Sequence, residues 1–449
     1  MHYHHFFKFK LLRLLVIGAA LLATPANAED NCEIPANWVT DGVPDPAIRA
    51  NGDFNSFCHF HTWAWNAFLW SMEKVNDNTN ILRFETFPTQ EDTINASFGS
   101  KIGSEIVLPI LQPRAAKNDH PIDAVAQAGT FGIMVAQNKR AIYYSQYVDP
   151  QMYDEIIERN WNNAAGLAAE DPNARFEVGN IEYKAAWAIV DENSEIPGAY
   201  TRQAMVPKLV TVMKDGVPTI QVPENPEYIQ ETVALIGLHV VGWVKDHPEA
   251  IWATFSPRNI VPIVPTDDDG NITIKPDDVV SDSSTPFYSA GTTLSDCNQL
   301  QTPIQKLDDS TQEFTYATQA CQIYKDGTIG SGKSENANVI DQINKSAQSS
   351  LPKDWPSADY EEIGAVWSEE DTGINETFQE KLLGSTVLSS PVIETFTQTD
   401  VGQNNCFSCH NSLQYQPEDP DIPPLHASML NLSHFLMQIY IKTYAKDEQ

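Results

Sequence analysis

Two cysteines and a histidine near residue 410 have the spacing of a haem attachment site. The segment QNNCFSCHN, residues 403–411, separates Cys406 from Cys409 by two residues and places His410 directly after them. In this pattern the two thiols form thioethers with the porphyrin vinyl groups, and the imidazole binds the iron. We therefore predict one covalently attached haem c, with His410 as the proximal iron ligand.

Other sites that use similar residues fit the sequence less well. A redox disulfide between Cys406 and Cys409 belongs near a βαβ pattern, which is missing around them, and zinc needs a further ligand pair that the other cysteines do not obviously supply. The segment GTIGSGKS, residues 327–334, has the spacing of a phosphate-binding loop. Such a loop follows a buried strand, whereas the preceding CQIYKDG is short and polar, so we interpret it as a surface loop.

The second iron ligand has several candidates. His239 lies in the apolar run GLHVVGW, where an imidazole needs a partner, which is either the iron or a backbone carbonyl or carboxylate. Met429 is the alternative, although methionine on a helix is more often a core residue. Met437, His426 and His434 share with Met429 the segment HASMLNLSHFLMQIYIKTYA, which we predict to be one closing helix. We interpret the remaining candidates as packing, capping or loop residues: His59, His61 and His120.

Because so few residues separate His410 from Met429 and Met437, we expect the haem to rest against the larger body of the chain rather than in a domain of its own. The tryptophans of that body could relay electrons, but their spacing is typical of core residues. The main ones are Trp63, Trp65, Trp70, Trp187, Trp243 and Trp252.

The start of the chain has the features of a secretory leader. Lys8, Lys10 and Arg13 precede an apolar run at residues 14–23, and the small-x-small sequence Ala-Asn-Ala at residues 26–28 follows it. This run is too short to span a bilayer, so we predict cleavage after residue 28, a mature chain that begins at Glu29, and no membrane span after cleavage. Export to the periplasm agrees with haem c, which is attached outside the cytoplasm.

Composition and charge indicate a folded, acidic protein. Hydrophobic residues make up 42% and charged residues 20%, and 60 Asp+Glu against 28 Lys+Arg give a formal charge of −32. Such a surface repels nucleic acid and anionic lipid and favours a basic protein partner or a salty habitat.

The cysteines outside the haem motif number four, an even number suited to two disulfides in an oxidising compartment. Three pairings are open. We favour Cys32 with Cys58 and Cys297 with Cys321, because each closes a loop of about 25 residues, for which the chain-entropy model gives roughly 3 kcal/mol.

The pattern along the chain predicts an α+β fold, with a strand-rich body, packed helices and a C-terminal haem-binding segment. Residues 1–28 are the leader, 29–263 an N-terminal α+β body, 264–296 an acidic, turn-rich insertion or linker, and 297–449 the C-terminal region with the haem. Within these regions we predict a buried helix over residues 59–74, an amphipathic helix from Pro150, a hairpin at Asp215-Gly216, and a polar helix over KSENANVIDQINKSAQSS.

Several segments together resemble a family of exported bacterial proteins described only as "cytochrome c family". They are HTWAWNAFLW, GNIEYKAAW, ALIGLHVVGW, EAIWATFSPRNIVP, SSPVIETFTQ and NCFSCHN. The resemblance implies haem binding through Cys406, Cys409 and His410, and it draws attention to His239. It carries no established reaction with it. Residues 256–258 in TFSPRN depart from the family, in which an acid and a histidine are expected after the phenylalanine, so no role is carried over to them.

The sequence thus predicts a periplasmic monohaem c-type cytochrome for one-electron transfer with a basic redox partner. A haem-dependent oxidoreductase with an open iron position, such as a peroxidase or small-molecule oxidase, is the alternative, as is a haem-based sensor module. The size of the body favours the enzyme, since electron carriage alone needs less protein. The chain contains no dinucleotide fingerprint and no nucleophile elbow.

Overall fold

The computed structural model describes residues 31–76, 80–98, 112–113, 133–214, 216–223, 225–267, 271–299, 306–323, 333–368, 382–386, 410 and 422–447. Residues Cys32–Gln449 belong to one compact unit. The predicted leader, 1–28, lies outside the described residues.

The described strands form an antiparallel sheet of eight, which confirms the α+β class together with the helices below. Its strands are β1 Gln112–Pro113, β2 Ile142–Val148, β3 Ile181–Ile189, β4 Thr201–Pro207, β7 Tyr228–Val244, β8 His247–Pro257, β11 Tyr360–Ser368 and β12 Leu382–Gly384. The order is β1-β2-β3-β7-β8-β11-β12, and β4 pairs with the first half of β7. Two small hairpins stand apart: β5 Val210–Lys214 with β6 Val217–Gln221, and β9 Leu307–Asp308 with β10 Glu313–Phe314.

The described α-helices are α1 Asn37–Asp41, α2 Pro46–Arg49, α3 Phe57–Ser71, α4 Gln90–Ile94, α5 Pro150–Glu158, α6 Ala164–Ala169, α7 Lys333–Ser350 and α8 His434–Asp447. The predicted buried helix, the helix from Pro150 and the polar helix are therefore present as α3, α5 and α7. The β5–β6 hairpin lies at the predicted turn, where Gly216 has a φ of +83°.

Helix α3 covers one face of the sheet. The Ser56 hydroxyl caps its first turn, and residues 60–69 are all buried. Its aromatic rings belong to the same buried cluster as Leu238 and Val240 of β7, and Trp63 approaches so closely that a Cβ at Gly242 would lie 2.0 Å from the indole. Only glycine fits there, because that separation is far inside van der Waals contact.

The other face of the sheet carries α5, α6 and the C-terminal segment. The predicted closing helix is divided here: a short 3₁₀ helix, Ser428–Leu432, precedes α8. The Ser433 hydroxyl accepts a hydrogen bond from the Leu436 backbone N–H, as an N-cap does, so α8 starts afresh at this residue. The prediction of one continuous helix was therefore wrong.

The C-terminal region shares the sheet with the N-terminal body, since β11 pairs with β8 from Tyr360–Pro257 to Val366–Trp252. Within residues 264–296, Phe287 is fully buried against the body, whereas Tyr288 is fully buried in a small cluster with Cys297 and Cys321. The favoured disulfides are both present, Cys32–Cys58 and Cys297–Cys321. No helix among the described residues combines the length and apolar character needed to cross a membrane.

Candidate functional site

His410 lies against the face of the sheet that carries the C-terminal segment. Its ring stacks on that of His434, with 3.6 Å between centroids, and lies 4.2 Å from the indole of Trp252. Its Nδ1 is 2.8 Å from the backbone carbonyl oxygen of Leu432. Cys406 and Cys409, the other residues of the predicted haem motif, lie outside the described residues. The disulfides use the remaining four cysteines.

The Leu432 carbonyl decides the tautomer of His410. A carbonyl oxygen only accepts, so Nδ1 must carry the proton and Nε2 must carry the lone pair. Burial lowers the pKa of His410 to about 3, and the charge of Lys184 acts in the same direction, so the ring is neutral near pH 7. A neutral imidazole with Nδ1 bonded to a carbonyl and Nε2 basic is the form in which histidine binds iron.

The Leu432–His434 corner that holds His410 is tied to the sheet by Glu182 on β3. The Ser433 hydroxyl donates to Glu182 Oε2 at 2.7 Å, and the Phe435 backbone N–H also bonds to this carboxyl. Burial raises the pKa of Glu182 to about 7, although these hydrogen bonds and Lys184 oppose the change. A carboxyl beside the first turn of α8 also interacts favourably with the helix dipole.

Next to this corner, four strands contribute a polar row in the middle of the sheet. Strand register places Gln146 opposite Lys184, Lys184 opposite His239, and His239 opposite Thr254. Directly paired residues of antiparallel strands point to the same face, so these four side chains form a continuous line. The neighbouring row on that face contains Glu182 and Trp252, separated by Val241.

Within this row, the His239 side chain provides a ring nitrogen close to His410. Its Nδ1 lies 2.8 Å from the Thr254 hydroxyl oxygen, and its ring centroid lies 5.8 Å from that of Trp252. Burial lowers the pKa of His239 to about 3, with further contributions from the charges of His410 and Lys184. Within the protein the His239 ring thus contacts the Thr254 hydroxyl, and a backbone hydrogen bond at Ala253 also acts on it. The structure brings His239 and His410 together against one tryptophan.

The other sequence candidates have varied positions. Met429 and Met437 are buried in the apolar cluster that also contains Trp252. His434 is buried and stacks on His410, whereas His426 is exposed. His120 lies outside the described residues.

His59 and His61 both lie on α3, where residues two apart point in different directions. His59 is exposed. His61 is fully buried between Glu362 Oε1, 2.7 Å from its Nδ1, and Asn336 Oδ1, 2.8 Å from its Nε2. This pair joins α3 to β11 and α7, and we interpret it as structural.

The described donor set is compatible with haem iron. In the part of the chain that the structure describes, no three His, Cys, Asp or Glu side chains are grouped to hold a metal ion. Haem iron receives four nitrogens from the porphyrin and needs only one or two protein ligands, and the tautomer and neutrality of His410 meet that need.

Sequence reasoning missed the residues that surround these histidines: Leu432, Ser433, Glu182, Lys184 and Thr254, as well as the contact made by Trp252. One signal was available. In IEYKAAWAI, the sequence of β3, two charged residues alternate with apolar ones, although every residue of the strand is buried. Buried charges two apart mark a polar strip on one face.

No protein-family model, curated protein or solved structure matches this chain.

Proposed function

We propose that the protein is an exported monohaem c-type cytochrome that transfers single electrons. The observation that carries this proposal is the hydrogen bond from His410 Nδ1 to the Leu432 carbonyl, in the one histidine that directly follows a Cys-x-x-Cys pair. This hydrogen bond places the lone pair on Nε2, the atom that would bind iron. The sequence motif points to the same histidine independently. Haem would supply the chemistry, a one-electron couple between ferric and ferrous iron.

In this proposal the chain itself fixes and shields the ligand. Cys406 and Cys409 supply the thioether sulfurs, and His410 supplies the proximal nitrogen. The Leu432 carbonyl holds the imidazole in one tautomer and orientation. The rings of His434 and Trp252 pack against it and partly shield it from water. A low local dielectric of this kind is one of the means by which a protein sets a haem potential.

His239 is the proposed second ligand, and Met429 is the alternative. His239 is neutral near pH 7, and its Nδ1 contact with Thr254 orients the ring. The His239 and His410 rings are near neighbours, because both contact the Trp252 indole, at centroid distances of 5.8 Å and 4.2 Å. Met429 is supported only by its place in the apolar cluster beside Trp252.

The acidic surface supports a basic redox partner in the periplasm. A formal charge of −32 produces a long-range field that attracts a cationic protein and accelerates its association at low ionic strength. Electron transfer to such a partner should slow as salt is added.

The second candidate is a haem-dependent oxidoreductase, or a haem-based sensor, with an open iron position. The polar row favours it, because Lys184 and Thr254 beside His239 could hold a small polar ligand, which electron carriage alone does not require.

Absorption spectroscopy distinguishes these proposals. We would express the chain in a host with a c-type maturation system, purify it, and record ferric, ferrous and carbon monoxide-treated ferrous spectra. A c-type spectrum unaffected by carbon monoxide supports the carrier, because both axial positions are then filled. A carbon monoxide adduct supports the open site, and turnover with peroxide or oxygen then separates an enzyme from a sensor. A spectrum without haem bands overturns both candidates.

A further inference from the structure

A buried lysine lies beside His239 in the sheet, next to the proposed haem site. Lys184 is directly opposite His239 across the β3–β7 pair, and only 9% of its surface is exposed. Its ammonium lies 5.6 Å from the centre of the Tyr144 ring, an arrangement that stabilises a charged lysine through cation–π attraction.

Lys184 lies near both histidines. It is the cross-strand neighbour of His239, and the rings of His239 and His410 both contact the indole of Trp252. Glu182, two residues away on the same face, feels the same ammonium, and its carboxyl is directed to Ser433.

Oxidation of a haem iron held by His410 would add one positive charge to this site. A fixed cation nearby in a buried, low-dielectric environment disfavours that charge, and therefore disfavours the ferric state relative to the ferrous state. The same cation in water would be screened, so burial is essential to the effect.

We infer that Lys184 raises the reduction potential of the iron held by His410. Because of this charge, the protein accepts electrons from donors of higher potential than it would without it. This inference rests on the proposed function, since it needs a haem at His410. It goes further because it names the residue that sets the potential and the physical means by which it does so.

The experiment is a potentiometric titration of the purified holoprotein and two variants. Lys184→Met removes the charge but keeps an unbranched apolar side chain, and Lys184→Arg keeps the charge. We expect the midpoint of Lys184→Met to fall, so that the ferrous-to-ferric ratio at the wild-type midpoint decreases about tenfold, which corresponds to about 59 mV for one electron. Lys184→Arg should stay close to the wild type.

Lys208→Met is the matched control, because Lys208 pairs with Glu227 on the surface and its charge should not affect the midpoint. If Lys184→Met does not fold, Lys184→Gln replaces it in the comparison with Lys184→Arg. Equal midpoints for Lys184→Met and Lys184→Arg would overturn the inference. If both match the wild type, the charge has no effect on the potential. If both shift together, packing rather than charge is responsible. A wild-type protein that lacks haem by mass would instead overturn the proposed function. The two failures are therefore distinguishable.

Discussion

His410 donates its Nδ1 proton to the Leu432 carbonyl oxygen across 2.8 Å, although 22 residues separate them in the chain. The bond connects the residue after the Cys-x-x-Cys pair to the last turn of the 3₁₀ helix that precedes α8. Through Ser433 and Glu182, that corner is fixed to the centre of the sheet. The orientation of a single imidazole therefore depends on the C-terminal segment and on strand β3 together.

Ser433→Ala should loosen this corner. The substitution removes the hydroxyl that caps α8 and leaves the buried Glu182 carboxyl without its 2.7 Å donor, so we expect the free energy of unfolding to fall by about 1–3 kcal/mol. Urea denaturation measures it. Ser349→Ala is a suitable control, because that serine is exposed near the end of α7 and its loss should cost less than about 0.5 kcal/mol. Equal effects of the two substitutions would show that the corner is not stabilised as described.

His239→Phe tests the second iron ligand. The phenylalanine keeps most of the ring volume in the strand but offers no nitrogen, so we expect the haem to remain attached while the ferrous protein gains the ability to bind carbon monoxide. Thr254→Val is the matched control, since it removes the hydroxyl bonded to Nδ1 but leaves the imidazole in place. Should His239→Phe remain unaffected by carbon monoxide, His239 is not the ligand, and Met429→Leu becomes the substitution to examine.

Much of the fold could be predicted because its signals are local. The aromatic run of α3, the Asp-Gly turn of the β5–β6 hairpin and the two short-range disulfides each depend on residues close together in the chain. The polar row does not. Lys184 and His239 meet only because β3 and β7 pair in one register, and a shift of one residue would turn both away. The break at Ser433 was missed since apolar periodicity continues through it, while the cap depends on one hydroxyl.

His61→Ala should destabilise the protein strongly. The substitution leaves the fully buried Glu362 carboxyl without the imidazole that lies 2.7 Å from it, and breaking such a pair costs about 3–5 kcal/mol. His59→Ala, on the exposed side of the same helix, should change the free energy of unfolding by less than about 0.5 kcal/mol. Thermal and urea unfolding measure both. A small effect at His61 would contradict its structural role and reopen the question of a chemical one.

Asp149 should give stability a pH dependence opposite to that of most carboxylates. It is buried at the start of α5, and burial raises its pKa to about 7 against an unfolded value near 4, although the backbone N–H groups of Met152 and Ile181 oppose this. The folded state therefore retains a proton that the unfolded state has lost. The stability from this group is complete below about pH 4 and decreases as pH rises toward about 7, by up to about 4 kcal/mol.

Asp149→Asn removes that titration, so the wild type should lose stability relative to this variant between pH 4 and pH 8 in urea unfolding. Asp308→Asn provides a contrast of opposite sign. Asp308 is exposed, and hydrogen bonds from Ser310, first through its side chain, lower the pKa of the Asp308 carboxyl, so ionisation there favours the folded state. A stability difference between wild type and Asp149→Asn that does not change with pH would contradict the assignment.

Intact-mass spectrometry under denaturing conditions tests the central claim most directly. The wild-type chain, purified from a maturation-competent host, is compared with a Cys406→Ala/Cys409→Ala variant expressed in the same way. We predict that the wild type carries the mass of one haem beyond its polypeptide, that the added mass survives denaturation, and that the variant lacks it. A wild-type mass equal to that of the bare polypeptide would contradict the account.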